Sequence, residues 1–327
     1  MKSPMCKTAV KILHATIVIQ SNHEALLPHL TLETKIESLL TDFKMIEEIP
    51  FTPDLDGYIS IEETEAPPSY EIQDDRILFK GPFLKLNKEA SDPRYMFWGN
   101  QGFLYRYTLY LLEKKHSIYN FHACALYDEN ENNLYVIIGG AGSGKTVFLL
   151  RGLEKGLKLF STETVHFHIE QGKVIWHMGS LVDNVRLGTL IYDFPRLLPD
   201  SEKPNPQESL QKKIAIDLSE YKTHREIIEN LSAVHILFPR IERGFEKTTL
   251  SPIKNIRKAA KGLFENISQK LAETIILYDT IVVLGLDETE LARNRLKAVD
   301  ELVNHNSVSQ ITSILSNPRD CWDHILK

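Results

Sequence analysis

The sequence has few cysteines, and they are widely spaced. They are Cys6, Cys124 and Cys321. Three cysteines so far apart exclude a disulfide framework and a cysteine-based zinc site. This usage is typical of proteins from a reducing environment, so we expect a cytoplasmic protein.

Long apolar runs are also missing from the sequence. No stretch reaches the roughly 18–20 apolar residues that a membrane-spanning helix needs. The N-terminal residues 1–20 are apolar in patches, but they carry Lys2, Lys7 and Lys11 and have no small-residue cleavage site. This pattern predicts a strand rather than a signal peptide, and we expect no membrane partner.

The sequence has no excess of positive charge. Acidic residues outnumber basic ones by 44 to 38, which gives a formal net charge of −6. Proteins dedicated to nucleic-acid binding usually present a basic face, so we expect no nucleic-acid partner, although a local basic pocket for phosphate stays possible. The 327 residues, 43% of them hydrophobic, are enough for one large globular domain or two of ordinary size.

Apolar periodicity divides the chain into two parts. The first part, residues 1–115, predicts a mixed α+β N-terminal domain. Its predicted elements are a strand at 8–20, a helix at 34–43, a hairpin at 72–86 that turns near 80–82, and a helix at 101–115.

The second part, residues 116–327, predicts an α/β nucleotide-binding domain. Two apolar strands are predicted at 119–127 and 134–138, and the second runs directly into a glycine-rich loop that a helical segment follows. Residues 195–206 contain four prolines. They predict a loop, which is either a lid beside an active site or a plain surface connection.

The glycine-rich loop matches the complete pattern G-x-x-x-x-G-K-[ST]. Glycines let the backbone wrap around phosphate with its N–H groups pointing inward, and the following helix offers its positive end to the same anion. The lysine of this pattern reaches the β- and γ-phosphates, and the hydroxyl that follows it binds Mg²⁺. The motif therefore predicts a site for a nucleoside triphosphate, ATP, with Mg²⁺. Its residues are Gly139, Gly140, Ala141, Gly142, Ser143, Gly144, Lys145 and Thr146.

This loop alone does not separate ATPases, GTPases and kinases. The guanine-reading pattern N-K-x-D does not occur in the sequence, which disfavours a GTPase. ATPases need an acid after an apolar strand, and Asp279 and Asp287 are the candidates. Asp287 and Glu290 also fit a capping box for the helix that follows, and this second interpretation is favoured.

The segments on either side of the loop carry a more specific pattern. Phe-His-Ala-Cys-Ala-Leu at 121–126 precedes the loop strand, and Gly-Leu-Lys-Leu-Phe-Ser-Thr-Glu at 156–163 follows the loop helix. This arrangement resembles the HPr kinase/phosphorylase family and its diverse relatives, in which His-Ala-Ser or similar opens the upstream strand and Gly-His-x-Leu-x-x-Asp-Asp ends the downstream one. The resemblance covers residues 119–180 and continues weakly through 233–252.

The resemblance implies an α/β, HPr-kinase-like P-loop domain that transfers a phosphoryl group from ATP, with Mg²⁺, to a hydroxyl. The acceptor would be a serine of a small protein or peptide, or a small molecule. Family members are often oligomeric, so a homo-oligomer is plausible. Two alternatives stay open: a nucleotide-binding regulator with little or no transfer activity, and a phosphorylase of the same fold.

The resemblance also implies roles for individual residues. The histidine of the first strand falls on His122, which can equally be a core residue. The aspartate pair falls on Thr162 and Glu163, so only Glu163 keeps a carboxylate, as general base or as a Mg²⁺ ligand. With Lys145, these two complete the catalytic candidates.

Further candidates rest on weaker patterns. Asp183, in a faint echo of the family's Arg-Gly-Leu-Gly stretch, would join Thr146 and Glu163 near the metal; a solvated helix end is the alternative. Arg240 and Arg243 bracket a strand end, where ligands gather in open α/β sheets, so they are predicted to contact phosphate, with surface charge as the alternative.

Three histidines, His166, His168 and His177, share one face of a predicted hairpin and have side chains that can bind zinc. Histidines on one face of an exposed sheet are more often simply solvated. A solvated face is therefore the favoured interpretation.

Overall fold

The computed structural model describes residues 5–28, 42–52, 55–198 and 210–326. Most of the helix predicted at 34–43, and residues 199–206 of the proline-rich segment, lie outside these ranges. The fold is mixed α/β, with sheets that contain both parallel and antiparallel strands.

The chain divides into two compact units. One consists of Met1–Tyr119 and Ser268–Arg293, and the other of Asn120–Ile267 and Asn294–Lys327. The first unit thus includes a segment from the C-terminal half, which the division of the sequence after residue 115 assigns to the second part. Among the described residues, no helix is long and apolar enough to cross a membrane.

The helices and strands are, in chain order, β1 (Cys6–Ile12), β2 (Ala15–Ser21), β3 (Glu47–Ile49), β4 (Gly57–Glu63), β5 (Ser69–Gln73), β6 (Arg76–Gly81), α1 (Phe83–Glu89), α2 (Phe103–His116), β7 (Tyr119–Asp128), β8 (Asn133–Ile138), α3 (Lys145–Glu154), β9 (Lys158–Ser161), β10 (Thr164–Glu170), β11 (Lys173–His177), β12 (Val182–Arg186), α4 (Leu187–Asp193), β13 (Lys213–Asp217), β14 (Ile227–Ile228), β15 (Ala233–Ile241), β16 (Thr249–Pro252), α5 (Ile256–Ala272), β17 (Ile275–Leu277), β18 (Ile281–Val283), α6 (Thr289–Val303) and β19 (Val308–Ser316).

The first unit is built on a six-stranded sheet in the order β3-β1-β2-β4-β6-β5. Helix α2 packs its apolar side chains into the same core as these strands. It ends at Ser117, whose left-handed backbone (φ 53°) lets its N–H reach the last carbonyls of the helix. The hairpin turn predicted near 80–82 is wrong: the chain turns at Asp74, with φ 52°, and Pro82 precedes α1.

The second unit is built on a nine-stranded sheet. Its main order is β14-β11-β10-β7-β8-β15-β19-β16, and β9 pairs with β7. Strand β8 is parallel to β15 and antiparallel to β7, so β8 ends where β7 begins. The strands predicted at 119–127 and 134–138 are confirmed as β7 and β8.

Helices cover both faces of this sheet. Leu237 of β15 packs in a core cluster with Phe148 and Leu149 of α3. Its neighbour Phe238 points to the opposite face, where a β-carbon added to Gly262 of α5 would lie 3.8 Å from its ring. The ribbon of β12 and β13 joins the α3 side through Val185 and its neighbours. The glycine-rich loop therefore emerges between two helical layers.

Candidate functional site

The loop between β8 and α3, residues 139–144, is here called the glycine loop. Gly142 and Gly144 adopt positive φ of 81° and 92°, which side chains other than glycine rarely tolerate. A β-carbon at Gly144 would also lie 2.5 Å from Cβ of Ile241, at the end of β15. The packing of the loop against β15 thus requires glycine at this position.

Lys145 begins helix α3 and folds back over the glycine loop. Its Nζ donates hydrogen bonds to the carbonyls of Gly139 (2.6 Å) and Gly140 (3.4 Å). Helix α3 has no capping side chain and no acidic residue in its first turn. The loop thus combines an ammonium group, open helix N–H groups and exposed backbone, which is the chemistry that binds phosphate.

Thr146 contacts a buried carboxyl group. Asp183 of β12 is 2% exposed, and the nearby Thr146 side chain stabilises its ionised carboxyl, which lowers the pKa of Asp183 against the larger effect of burial. The carboxyl oxygen Oδ2 is buried and has no hydrogen-bond partner among the residues that the structure describes. The solvated helix end considered for Asp183 is therefore wrong, because the residue lies in a buried strand beside the start of α3.

A second carboxylate acts on Asp183. Burial, and then the nearby charge of Glu163, raise the pKa of Asp183 to about 8. Two carboxyl groups placed so close are costly to ionise together unless a cation offsets their repulsion. The Thr146 hydroxyl, Asp183 and Glu163 thus form a set of oxygen ligands suited to a hard divalent cation.

His122 and Glu163 lie together at the edge of this acidic group. The His122 Nδ1 and a Glu163 carboxylate oxygen are 4.0 Å apart, and both side chains are about one quarter exposed (23% and 24%). The Glu163 carbonyl accepts a backbone hydrogen bond from Ala123 (3.0 Å), which ties the turn between β9 and β10 to the start of β7. The structure thus brings His122, Glu163 and Asp183 to the end of the sheet where the glycine loop begins.

Arg240 and Arg243 lie on either side of the end of β15. Arg240 pairs with Glu242 (2.6 Å), and Arg243 pairs with Asp193 (3.0 Å). Both arginine side chains are largely exposed. Ile241, between them, donates its backbone N–H to the glycine loop (3.0 Å). The arginines therefore flank the loop, and each is engaged in a surface ion pair.

Asn266 of α5 and Lys213 of β13 also lie near this acidic group, and no local sequence pattern selects Asn266. The Asn266 side chain on α5 donates to the His122 carbonyl (3.1 Å), and its buried Oδ1 has no hydrogen-bond partner within the described ranges. The positive charge of Lys213, on β13, lowers the pKa of Asp183 against the larger opposing effects. A single sequence carries no signal that places Asn266 here, because it arrives from a distant part of the chain.

The three histidines of the β10–β11 hairpin are not a solvated surface. His166 and His177 are buried and lie opposite each other across the strands. The Nδ1 of His168 and the Nε2 of His177 are 2.9 Å apart. Within the described ranges, no group of three or more His, Cys, Asp or Glu side chains is arranged to hold a metal ion. The favoured interpretation, solvated histidines, is therefore wrong for His166 and His177.

Buried His166 predicts a pH dependence of stability. Burial, with a smaller effect of nearby His177, lowers the pKa of His166 to about 3. Between about pH 6.5 and the pKa of His166 in the folded state, the unfolded chain binds a proton at this residue and the folded chain does not. The free energy of unfolding therefore falls by about 1.4 kcal/mol for each unit by which the pH is lowered in this range.

The measurement is urea unfolding of wild type and His166→Leu between about pH 7.5 and about pH 5. Over this range the free energy of unfolding of the variant should fall by about 2 kcal/mol less than that of wild type. The same substitution at His224, an exposed histidine, is the control and should follow the wild-type curve. Parallel curves for wild type and His166→Leu would contradict the prediction.

Comparison of the chain with models of known protein families finds no match, and comparison with curated proteins finds none either.

Proposed function

We propose that the second unit is a P-loop domain that binds ATP with Mg²⁺ and transfers the γ-phosphoryl group to a hydroxyl of an acceptor. The observation that carries the proposal is the meeting of Thr146, Asp183 and Glu163 immediately behind the glycine loop. The resemblance to HPr kinases, in segments that border this group, supports the same function.

The phosphates would be held by the glycine loop. Its N–H groups and the uncapped start of α3 suit an anion, and Lys145 exchanges the Gly139 carbonyl for phosphate oxygens. The Thr146 hydroxyl and the Asp183 carboxylate would hold Mg²⁺, which usually takes one or two carboxylates together with phosphate oxygens and water. The unpartnered Oδ2 of Asp183 fits this role. Bound Mg²⁺ supplies charge neutralisation at the phosphates.

Glu163 is the candidate base for the transfer. The acceptor oxygen bonds to the γ-phosphorus, the bond to the β–γ bridging oxygen breaks, and the hydroxyl proton passes to Glu163. His122, whose Nδ1 lies 4.0 Å from a Glu163 carboxylate oxygen, would orient this carboxylate by closing to hydrogen-bond distance. Arg240 and Arg243 would reach phosphate from the end of β15 after they leave their surface ion pairs with Glu242 and Asp193.

One observation favours the alternative of a nucleotide-binding regulator with little transfer. Thr162 stands at the first position of the family's aspartate pair. It is 3% exposed, and its hydroxyl donates to the Val182 carbonyl (2.7 Å). Its side chain therefore has a structural role, and Glu163 is the only residue of the pair that can act as the general base.

Labelled ATP separates these functions. The protein is incubated with γ-labelled ATP and Mg²⁺, together with serine peptides and small hydroxyl compounds, and both nucleotide binding and label on the acceptor are measured. We expect binding and label transfer. Binding with no label leaving ATP above background would reject the transfer and leave the regulator, whereas absence of binding would reject the whole proposal.

A further inference from the structure

A strongly basic segment of the chain runs from just before β16 into the first half of α5. Residues 247–264 contain five basic residues and no acidic one, in a chain whose acids outnumber its bases by 44 to 38. All five basic residues are exposed. Four of them, at and just before the start of α5, are here called the basic patch: Lys254, Arg257, Lys258 and Lys261; the fifth, Lys247, lies at the other end of β16.

Most of this charge has no counter-ion among the described residues. Lys261 pairs with Glu265 at 3.5 Å. The other three side chains of the patch, and that of Lys247, make no ion pair with any part of the chain that the structure describes. Helix α5 has no acidic residue in its first turn, and cations there oppose the helix dipole and repel each other. The charge therefore does not serve the stability of the helix, which points to an external partner.

Helix α5 connects the patch to the candidate site. Gly262 lies over Phe238 of β15, and Asn266 donates to the His122 carbonyl on β7. Strand β8, which leads into the glycine loop, lies between these two strands. The helix thus runs from the patch, across the end of β8, to His122. At about 1.5 Å per residue, Arg257 lies roughly 13 Å along the helix from Asn266.

We infer that the basic patch binds an acidic segment of the phosphoryl acceptor, which makes the acceptor a peptide or protein rather than a small molecule. This inference rests on the proposed transfer at the glycine loop. An extended chain rises about 3.3 Å per residue, so the acidic residues lie about four or five positions from the hydroxyl that receives the phosphoryl group. Four or five residues of extended chain span this separation, which a compact hydroxyl compound of a few carbon atoms does not.

The composition of the patch favours an acidic peptide over a nucleic acid. Ile256, in the middle of the patch, is 54% exposed and offers an apolar contact for a peptide side chain. The only aromatic residue of the segment, Phe264, is partly buried, whereas binding of single strands relies on exposed aromatic rings. A long polyanion would also be repelled by the rest of the protein, whose net charge is −6. A short acidic segment contacts only the basic patch and avoids this repulsion.

The test compares two fluorescent serine peptides of the same length. One carries four acidic residues centred about four or five positions from the serine, and the other carries the corresponding amides. Binding is measured by anisotropy with Mg²⁺ and a non-hydrolysable ATP analogue. The acidic peptide should bind about tenfold more tightly at low salt, and this preference should shrink as salt rises.

Reversing the charge of two patch residues tests whether the patch causes the preference for the acidic peptide. The double variant Arg257→Glu/Lys258→Glu should lose the tenfold preference and retain wild-type affinity for the ATP analogue. The matched control, Lys155→Glu/Lys158→Glu, reverses two exposed charges elsewhere in the same unit and should keep the preference.

In the binding assays, three results would overturn the inference: equal affinity for the two peptides, a preference that survives reversal of the patch, or binding of a single-stranded oligonucleotide that the acidic peptide does not displace. Transfer of label to small hydroxyl compounds but to no peptide would also reject it and would leave the proposed function intact. Failure of wild type to bind ATP would instead reject the proposed function.

Discussion

Replacement of Lys145 by alanine is expected to weaken ATP binding by about 100-fold. The Lys145 ammonium lies against the Gly139 and Gly140 carbonyls, at the start of α3. Bound phosphate would exchange these neutral partners for charged oxygens, and hydrogen bonds between charged groups contribute about 1.5–3 kcal/mol each. Titration with ATP and Mg²⁺, followed by calorimetry, measures the loss.

A matched variant at the other end of α3 controls for charge and folding. Lys155, just past the end of α3, is half exposed (50%) and has one long ion pair, with Asp323 at 3.7 Å. Lys155→Ala removes the same group and should bind ATP as wild type does. If Lys145→Ala keeps its affinity within about threefold, the glycine loop is not the nucleotide site.

The strand, loop and helix around Lys145 could be predicted because the signal is local. Strand β8 is a continuous apolar run, and the glycines that follow it are required by positive φ at Gly142 and Gly144. Residue types at fixed, short spacing determine this geometry. The same reasoning identified β7 and the β10–β11 hairpin.

The acidic group behind the loop depends on contacts that a local pattern does not encode. Asp183 reaches Thr146 because β12 pairs with β13 and the ribbon packs against α3. Asn266 reaches the start of β7 from the opposite face of the sheet. The sequence offered only a faint motif for Asp183 and none for Asn266, since both are placed by packing between distant segments.

The misplaced turn in the first unit has a local cause. Proline near a strand end favours a turn, and the sequence interpretation therefore placed one near Pro82. In the structure, Asp74 adopts the left-handed conformation that aspartate tolerates, and β5 and β6 pair on either side of it. Pro82 instead stands at the start of α1, where its missing N–H costs no helical hydrogen bond.

Substitution of Glu163 by glutamine is expected to slow phosphoryl transfer by about 10²–10⁴-fold and to change ATP affinity by less than about threefold. Glutamine keeps the shape of the side chain but accepts no proton from the hydroxyl. It also removes the charge beside His122 and Asp183. Single-turnover transfer of label and separate ATP titrations distinguish the two effects.

The dependence on Mg²⁺ separates a base from a metal ligand at this position. If Glu163 is the base, high Mg²⁺ leaves the Glu163→Gln variant slow. If Glu163 holds the metal, high Mg²⁺ restores much of the rate of this variant. The same recovery is expected for Asp183→Asn, which changes the carboxyl beside Thr146. Glu170→Gln, at a largely exposed acid on β10, is the control and should transfer at the wild-type rate. Unchanged transfer by Glu163→Gln would remove this carboxylate from the reaction. With Thr162 already engaged by the Val182 carbonyl, the turn between β9 and β10 would then hold no base.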